Sequence, residues 1–162
     1  MYMLVSDYDG TFDGKCTDGR VLNLQLNCEK VKEFIEQGNI FVLASDVDCK
    51  ILISIAKRNN IPYSYLVGYN GICDTEGKIS YDDFKDISKS QAVSILKKQL
   101  RIDDEDIYTI GDGRKDIRMV EWWNGFHVGN NKEIAEVSLG QYQEVHELVD
   151  DIVMKKAKIR EF

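Results

Sequence analysis

The chain has 162 residues, 43% of them apolar, and a formal net charge of −7. That is enough length and apolar content for one domain with a buried core, and it excludes a disordered chain. The acidic balance excludes a broad nucleic-acid or membrane footprint, because both need clustered Lys and Arg. The sequence has no apolar run near the roughly 18 residues of a membrane span. No secretory leader is visible, as would also hold for a chain that had lost one.

In chain order, Met3 to Asp7 reads as a short buried strand. A loop and a ribbon are expected through Val21 to Leu26. Asn27 is then expected to cap a helix with Val31, Phe34 and Ile35 on one face, stopped by Gly38. Ile40 to Ser45 is a continuous apolar run and reads as a second buried strand. Cys49 to Asn59 reads as a helix with Ile51, Leu52 and Ile55 inward, closed by Pro62. Residues 63–71 read as a third strand ending in a turn. Residues 71–83 read as a hairpin turning near Glu76 and Gly77. Ser88 and Gln91 form a capping box for a helix carrying Ala92, Leu96 and Leu100. Asp106 to Asp112 reads as a fourth strand, Asp116 to Glu121 as a helix, and residues 125–130 as a fifth strand. A last helix is expected to carry Tyr142, Val145, Leu148, Val149 and Ile152, followed by a frayed end.

This alternation predicts an α/β fold: one domain over residues 1–162, with a doubly wound, mainly parallel sheet and helices on both faces. Such sheets bind ligands beyond the carboxyl ends of their strands, at a switch in strand order. Cys16, Cys28, Cys49 and Cys73 form no C-x-x-C pair and have no His at zinc-ligand spacing. They read as free thiols of a reducing compartment, which implies a cytoplasmic protein. His127 on a strand and His146 on a surface helix read as structural. Trp122, Trp123 and Phe126 read as core or strand-edge packing, with an apolar contact surface as the other reading.

The carboxylates share an address. Asp7 and Asp9 end the first strand, Ser45 ends the second, and Asp112 ends the fourth with Asp116 close behind. Singly, each is an ordinary turn or cap residue. Together, on a parallel sheet, they converge on one edge. Like charges about 4 Å apart at an effective dielectric near 20 cost roughly 4 kcal/mol each. A marginally stable domain cannot carry several such contacts uncompensated. A divalent cation with oxygen ligands, such as magnesium, removes the cost. Gly10, Gly111 and Gly113 allow close backbone approach at that edge. Lys89 alone is a surface lysine; beside the acidic cluster it would neutralise a phosphoryl group or hold a carboxylate ionised.

These residues resemble the motifs of the haloacid dehalogenase superfamily. "LVSDYDGTF" is similar to its first motif, D-x-D-G-T after an apolar strand. "IFVLAS" resembles the second motif, Lys89 in "SKSQAVSILKKQL" the third, and "IYTIGDGRKDIRMV" the fourth in the form of the Cof-type phosphatases. The likeness runs in order from Met3 to Asn131 and includes "YNGICDTEGKISY" and "HVGNN". It implies a magnesium-dependent phosphatase of phosphomonoesters, such as a sugar phosphate, acting through an aspartyl-phosphate. Asp7 would be the nucleophile and Asp9 the general acid and base. Asp7, the backbone carbonyl of Asp9, and Asp112 would hold Mg2+. Asp116 would support the metal or orient Lys89. Ser45 and Lys89 would bind phosphate oxygens, with Gly10 and Thr11 shaping the phosphate loop.

The sequence departs from that pattern in three places. Ser45 is followed by Asp46 and Val47 instead of Gly-Arg. Lys115 stands where the fourth motif has Asn, able either to add charge for phosphate or to fill the site. Only Ile72 to Ser88 occupies the interval of the cap domain, so a short β-hairpin is expected in its place. An open site implies a covering neighbour in a homo-oligomer, possible as a tetramer as in capless relatives, or a substrate large enough to cover itself. The segment Cys16 to Leu26 is a candidate oligomer contact. The competing reading is a weak or inactive oligomeric or regulatory module that keeps a metal site. A receiver domain is set aside, because its phosphorylated aspartate would lie on the third strand and its lysine after the fifth.

Overall fold

β1 (Met3–Asp7) is buried at every position, as a central strand covered on both faces requires. The structure is a computed structural model describing residues 1–14, 16, 18–80 and 86–155. Seven strands form one sheet in the order β5-β4-β3-β2-β1-β6-β7. β1 pairs in parallel with β2 (Ile40–Ala44) and with β6 (Ile107–Gly111). β3 (Tyr65–Gly68) and β7 (Asn124–His127) extend the parallel part outward. β4 (Gly71–Cys73) and β5 (Ile79–Ser80) add two antiparallel strands at one edge. The chain runs outward from β1 through β2 and β3, then returns to its other side with β6. The order therefore reverses at β1, which puts a crevice at its carboxyl end.

The two faces of β1 feed two cores, because side chains alternate along a strand. Leu4 joins a cluster with Phe34, Leu52 and Leu148, under α1 (Leu24–Glu36), α2 (Cys49–Arg58) and α6 (Val145–Val153). Met3 and Val5 join the opposite cluster with Val93, Met119 and Ile134, under α3 (Lys89–Leu100), α4 (Ile117–Trp122) and α5 (Lys132–Val137). The doubly wound α/β reading thus holds. The four cysteines are free.

Several local expectations are corrected. The described residues from Cys16 to Asn23 form no strand, and Leu24 to Leu26 are already helical. The cap of α1 is Asn23, whose side chain accepts from the Leu26 N–H at 3.1 Å. Asn27 is buried one turn further in. Its side-chain amide donates to the Phe12 carbonyl at 3.0 Å, and its oxygen accepts from the His146 N–H at 2.9 Å. A cap-type residue has become a core bridge, which local sequence cannot distinguish. On α2 the inward residues are Cys49, Leu52 and Ala56, while Ile51 is 52% exposed. Tyr142 precedes α6, which starts at a Glu144–Glu147 capping box. Its hydroxyl instead donates to Asp151 at 2.6 Å. Phe126 is core as expected, but Trp122 is exposed, with the Arg118 guanidinium 5.5 Å from its ring centre. The six-residue α5 was not anticipated. The hairpin holds as far as Ser80; its expected end at 81–83, and the frayed end from 156 on, lie outside the described residues.

Candidate active site

Three chain segments meet at the carboxyl end of β1. Asp7 is its last residue, level with Ala44 on β2, so Ser45 lies one step beyond. Gly111 closes β6, Asp112 follows, and a short 3-10 turn over Arg114–Asp116 brings Asp116 back under the strand end. The third segment is the start of α3. There the Ser88 hydroxyl accepts from the Gln91 N–H at 3.2 Å, and the Gln91 side chain accepts from the Ser88 N–H at 2.9 Å. This fixes where the helix begins, and hence where its first residue, Lys89, points.

Lys89 is buried, and its Nζ donates to Asp7 Oδ1 and, at 2.7 Å, to Asp116 Oδ1. The second oxygen of Asp116 accepts from the backbone N–H groups of Asp112 (3.1 Å) and Gly113 (3.3 Å). The second oxygen of Asp7 accepts from the Thr11 hydroxyl at 3.0 Å. Both oxygens of the Asp7 carboxylate are therefore held, which fixes its plane. Gly10 lies against Asp112: a Cβ there would sit 2.3 Å from Asp112 Oδ2, at a φ of +78° that side chains disfavour. Only glycine lets the loop and this carboxylate come so close.

The electrostatics follow from burial. Desolvation pushes the Asp7 carboxyl up to about 7; Lys89 opposes this and Asp112 reinforces it. Desolvation likewise raises Asp116, to about 6, with Asp7 adding to the rise and Lys89 opposing it. Burial alone would lower Lys89, but Asp7 and Asp116 more than offset that and push it up. Lys89 stays charged, while its two partners bear the strain of one cation shared between two carboxylates.

Asp7, Asp112 and Asp116 each offer an oxygen, all within 4.8 Å of one another. Lys89 and two N–H groups already occupy Asp116, whereas Asp112 is half-buried, with the Arg20 Nη2 3.9 Å from one oxygen. A hard divalent cation fits this all-oxygen, excess-anionic donor set. Asp7 and Asp116 are each held by Lys89 and by further donors, and Asp112 is the more exposed of the three.

The fold thus brings together Asp7, Gly10, Thr11, Lys89, Asp112 and Asp116. Ser45, one residue past the end of β2, is buried beside them, its N–H donating to the Val67 carbonyl at 2.9 Å. The Asp9 side chain is exposed and lies outside the carboxylate cluster, in the turn where a Cβ on Gly14 would approach its Oδ1 to 2.7 Å. Two features were not visible in sequence. Arg20 reaches the edge of the site, its Nε bound to Asp18 at 2.7 Å; its Nη1 is the one buried side-chain polar atom among the described residues without a hydrogen-bond partner. Lys115 pairs with Asp46 at 3.4 Å, joining two of the departures from the motif pattern. No local signal pointed to either contact, since each joins residues from different loops or depends on a loop's path.

Residues 84–138 match the family model of the haloacid dehalogenase-like hydrolases. Solved structures of haloacid dehalogenase-like hydrolases and of a phosphatase are similar in fold over nearly the whole chain. The fold is that of the haloacid dehalogenase-like hydrolases. A haloacid dehalogenase-like hydrolase from Bacteroides thetaiotaomicron matches with a TM-score of 0.76 at 14% identity, covering 93% of this chain and 99% of its own. The yhjK haloacid dehalogenase-like hydrolase of Bacillus subtilis matches with a TM-score of 0.72 at 14% identity, over 99% of this chain and 90% of its own. The 3-deoxy-D-manno-octulosonate 8-phosphate phosphatase of Moraxella catarrhalis, solved with magnesium and phosphate ions, matches at 0.67 and 19% identity, over 98% of this chain and 87% of its own. Comparison with curated protein sequences returns no match. The haloacid dehalogenase-like topology accounts for why Asp7, Lys89 and Asp112, far apart in sequence, share one strand-end crevice.

Proposed function

We propose that this chain is a magnesium-dependent phosphomonoesterase that works through an aspartyl-phosphate on Asp7. The observation that carries the reading is the buried Lys89 bound to both Asp7 and Asp116, with Asp112 beside them, at the carboxyl end of β1. A buried, doubly held carboxylate is oriented for attack, and orientation is a large part of catalysis. An Asp7 oxygen attacks phosphorus as the ester oxygen leaves, and Asp9 gives that oxygen a proton. Water then attacks the phosphorus of the acyl phosphate, Asp9 takes a proton from it, and the P–O bond to Asp7 breaks. Lys89, Ser45 and backbone N–H groups of the Gly10–Thr11 loop hold the phosphoryl oxygens. When bound by Asp7 and Asp112, with the Asp9 carbonyl, a magnesium ion would supply charge neutralisation for the phosphoryl group.

The substrate would be a small phosphorylated metabolite, such as a sugar phosphate. A homo-oligomer, as a tetramer for instance, would cover the open crevice, and the cytoplasm would keep the four thiols reduced. Among the described residues no helix is long and apolar enough to cross a membrane. The test is phosphate release from para-nitrophenyl phosphate with and without magnesium, in wild type and Asp7→Asn. Metal-dependent turnover that falls to background in the variant is expected. Equal rates in the two proteins would refute the nucleophile. Magnesium binding without turnover on a broad ester panel would favour the inactive-module reading.

A further inference from the structure

A cavity of about 620 Å³ opens beside the phosphoryl centre and shares Lys89 with it. Its other walls include Asp46, Tyr69, Asp86, Gln91 and Lys115. Asp46 lies two residues past the end of β2, and Lys115 four past the end of β6. β1 runs between those two strands. The Asp46–Lys115 ion pair, at 3.4 Å, therefore bridges the two strands that flank the nucleophile's strand. Both side chains are largely exposed, 51% and 73%, so the pair is held weakly and opens easily in water. Neither has a fixed duty in the fold: the pair is the ion contact each makes among the described residues.

We propose that Asp46 and Lys115 are the specificity-determining residues for the ester's leaving group, and that they select an uncharged, hydroxyl-bearing group over one carrying a second anion. This rests on the phosphomonoesterase reading above. Lys89 belongs both to the carboxylate cluster and to the lining of this cavity, so on that reading the cavity is where the leaving group would lie. Lys89 is already neutralised by Asp7 and Asp116. Beyond it the walls carry two carboxylates, Asp46 and Asp86, against one ammonium, Lys115. A second anion there meets net repulsion. A hydroxylated group does not: one hydroxyl donates to Asp46, another accepts from Lys115, and the ion pair opens around them. The two departures from the motif pattern are then one feature, a matched pair.

The experiment uses two near-isosteric esters, glycerol 3-phosphate and 3-phosphoglycerate, which differ by a hydroxymethyl against a carboxylate. The readout is the ratio of their kcat/KM values at low and high salt. Wild type is expected to favour glycerol 3-phosphate. Asp46→Lys should shift the ratio about tenfold toward 3-phosphoglycerate, mainly through KM, and Lys115→Glu about tenfold the other way. The exchange Asp46→Lys with Lys115→Asp should return it to within about threefold of wild type, and high salt should shrink every shift. Both positions are exposed, so folding is not at risk. Turnover with a ratio that stays within about twofold in both single variants would overturn the pair's role and leave the phosphatase reading standing. No phosphate release from either ester or from para-nitrophenyl phosphate would overturn both.

Discussion

Replacing Lys89 with Met removes the cation shared by two buried carboxylates and puts a chain of similar length in its place. Lys89, Asp7 and Asp116 have side chains only 6%, 8% and 3% exposed, so water cannot take over the lost interactions. Removing one partner of a buried pair costs about 3–5 kcal/mol. For a domain stable by about 5–15 kcal/mol, that is a large share of the total. The cost depends on pH, and its sign is fixed. Lys89 opposes the rise in both carboxyl pKa values, so without it they climb above about 7 and about 6. The native state then holds protons that the unfolded chain, at its ordinary 3.8, has released. Stability falls wherever that is so as pH rises. The full loss appears at pH 8; at pH 5 both carboxyls are neutral and the loss shrinks to about 1 kcal/mol, that of ordinary hydrogen bonds. Urea unfolding followed by circular dichroism in metal-free buffer at the two pH values measures it. A loss under about 1 kcal/mol at pH 8, or an equal loss at both, would refute the shared-cation account.

Wild type should show the same sign more weakly. With Asp7 raised to about 7 and Asp116 to about 6, their favourable contribution in metal-free protein is complete below their unfolded value of 3.8 and lost as pH climbs to 7. Added magnesium should raise the melting temperature at pH 8 more than at pH 5, as scanning calorimetry would report; equal shifts would argue against carboxylate ligation. Gly10→Ala should weaken magnesium binding about 10- to 100-fold by titration calorimetry, because the new methyl meets Asp112 Oδ2 at 2.3 Å and the backbone holds a φ of +78°. An unchanged affinity would remove Asp112 from the ligand set.

Much of the chain's plan was written locally. The short apolar runs at Met3–Val5 and Ile40–Ala44 read as strands buried on both faces, and Ser88 with Gln91 marks a helix start by its own hydrogen bonds. Those signals depend on near neighbours, so sequence determined the alternation and the carboxyl ends of β1 and β2, whereas the strand expected over 125–130 runs over Asn124–His127 and Asp9 stays outside the carboxylate cluster. What tertiary structure alone decided was which partner each polar group takes. Asn23 and Asn27 look alike as caps, yet one caps α1 and the other is buried between Phe12 and His146. Ile51 looked inward by period, but α2 is rotated to bury Cys49, Leu52 and Ala56. Arg20 beside Asp112, and Lys115 across from Asp46, depend on where separate loops cross in space. Covalent order and side-chain chemistry fix local geometry within a few residues. Contacts between loops follow from how the helices pack on the sheet, and no short window of sequence carries that information.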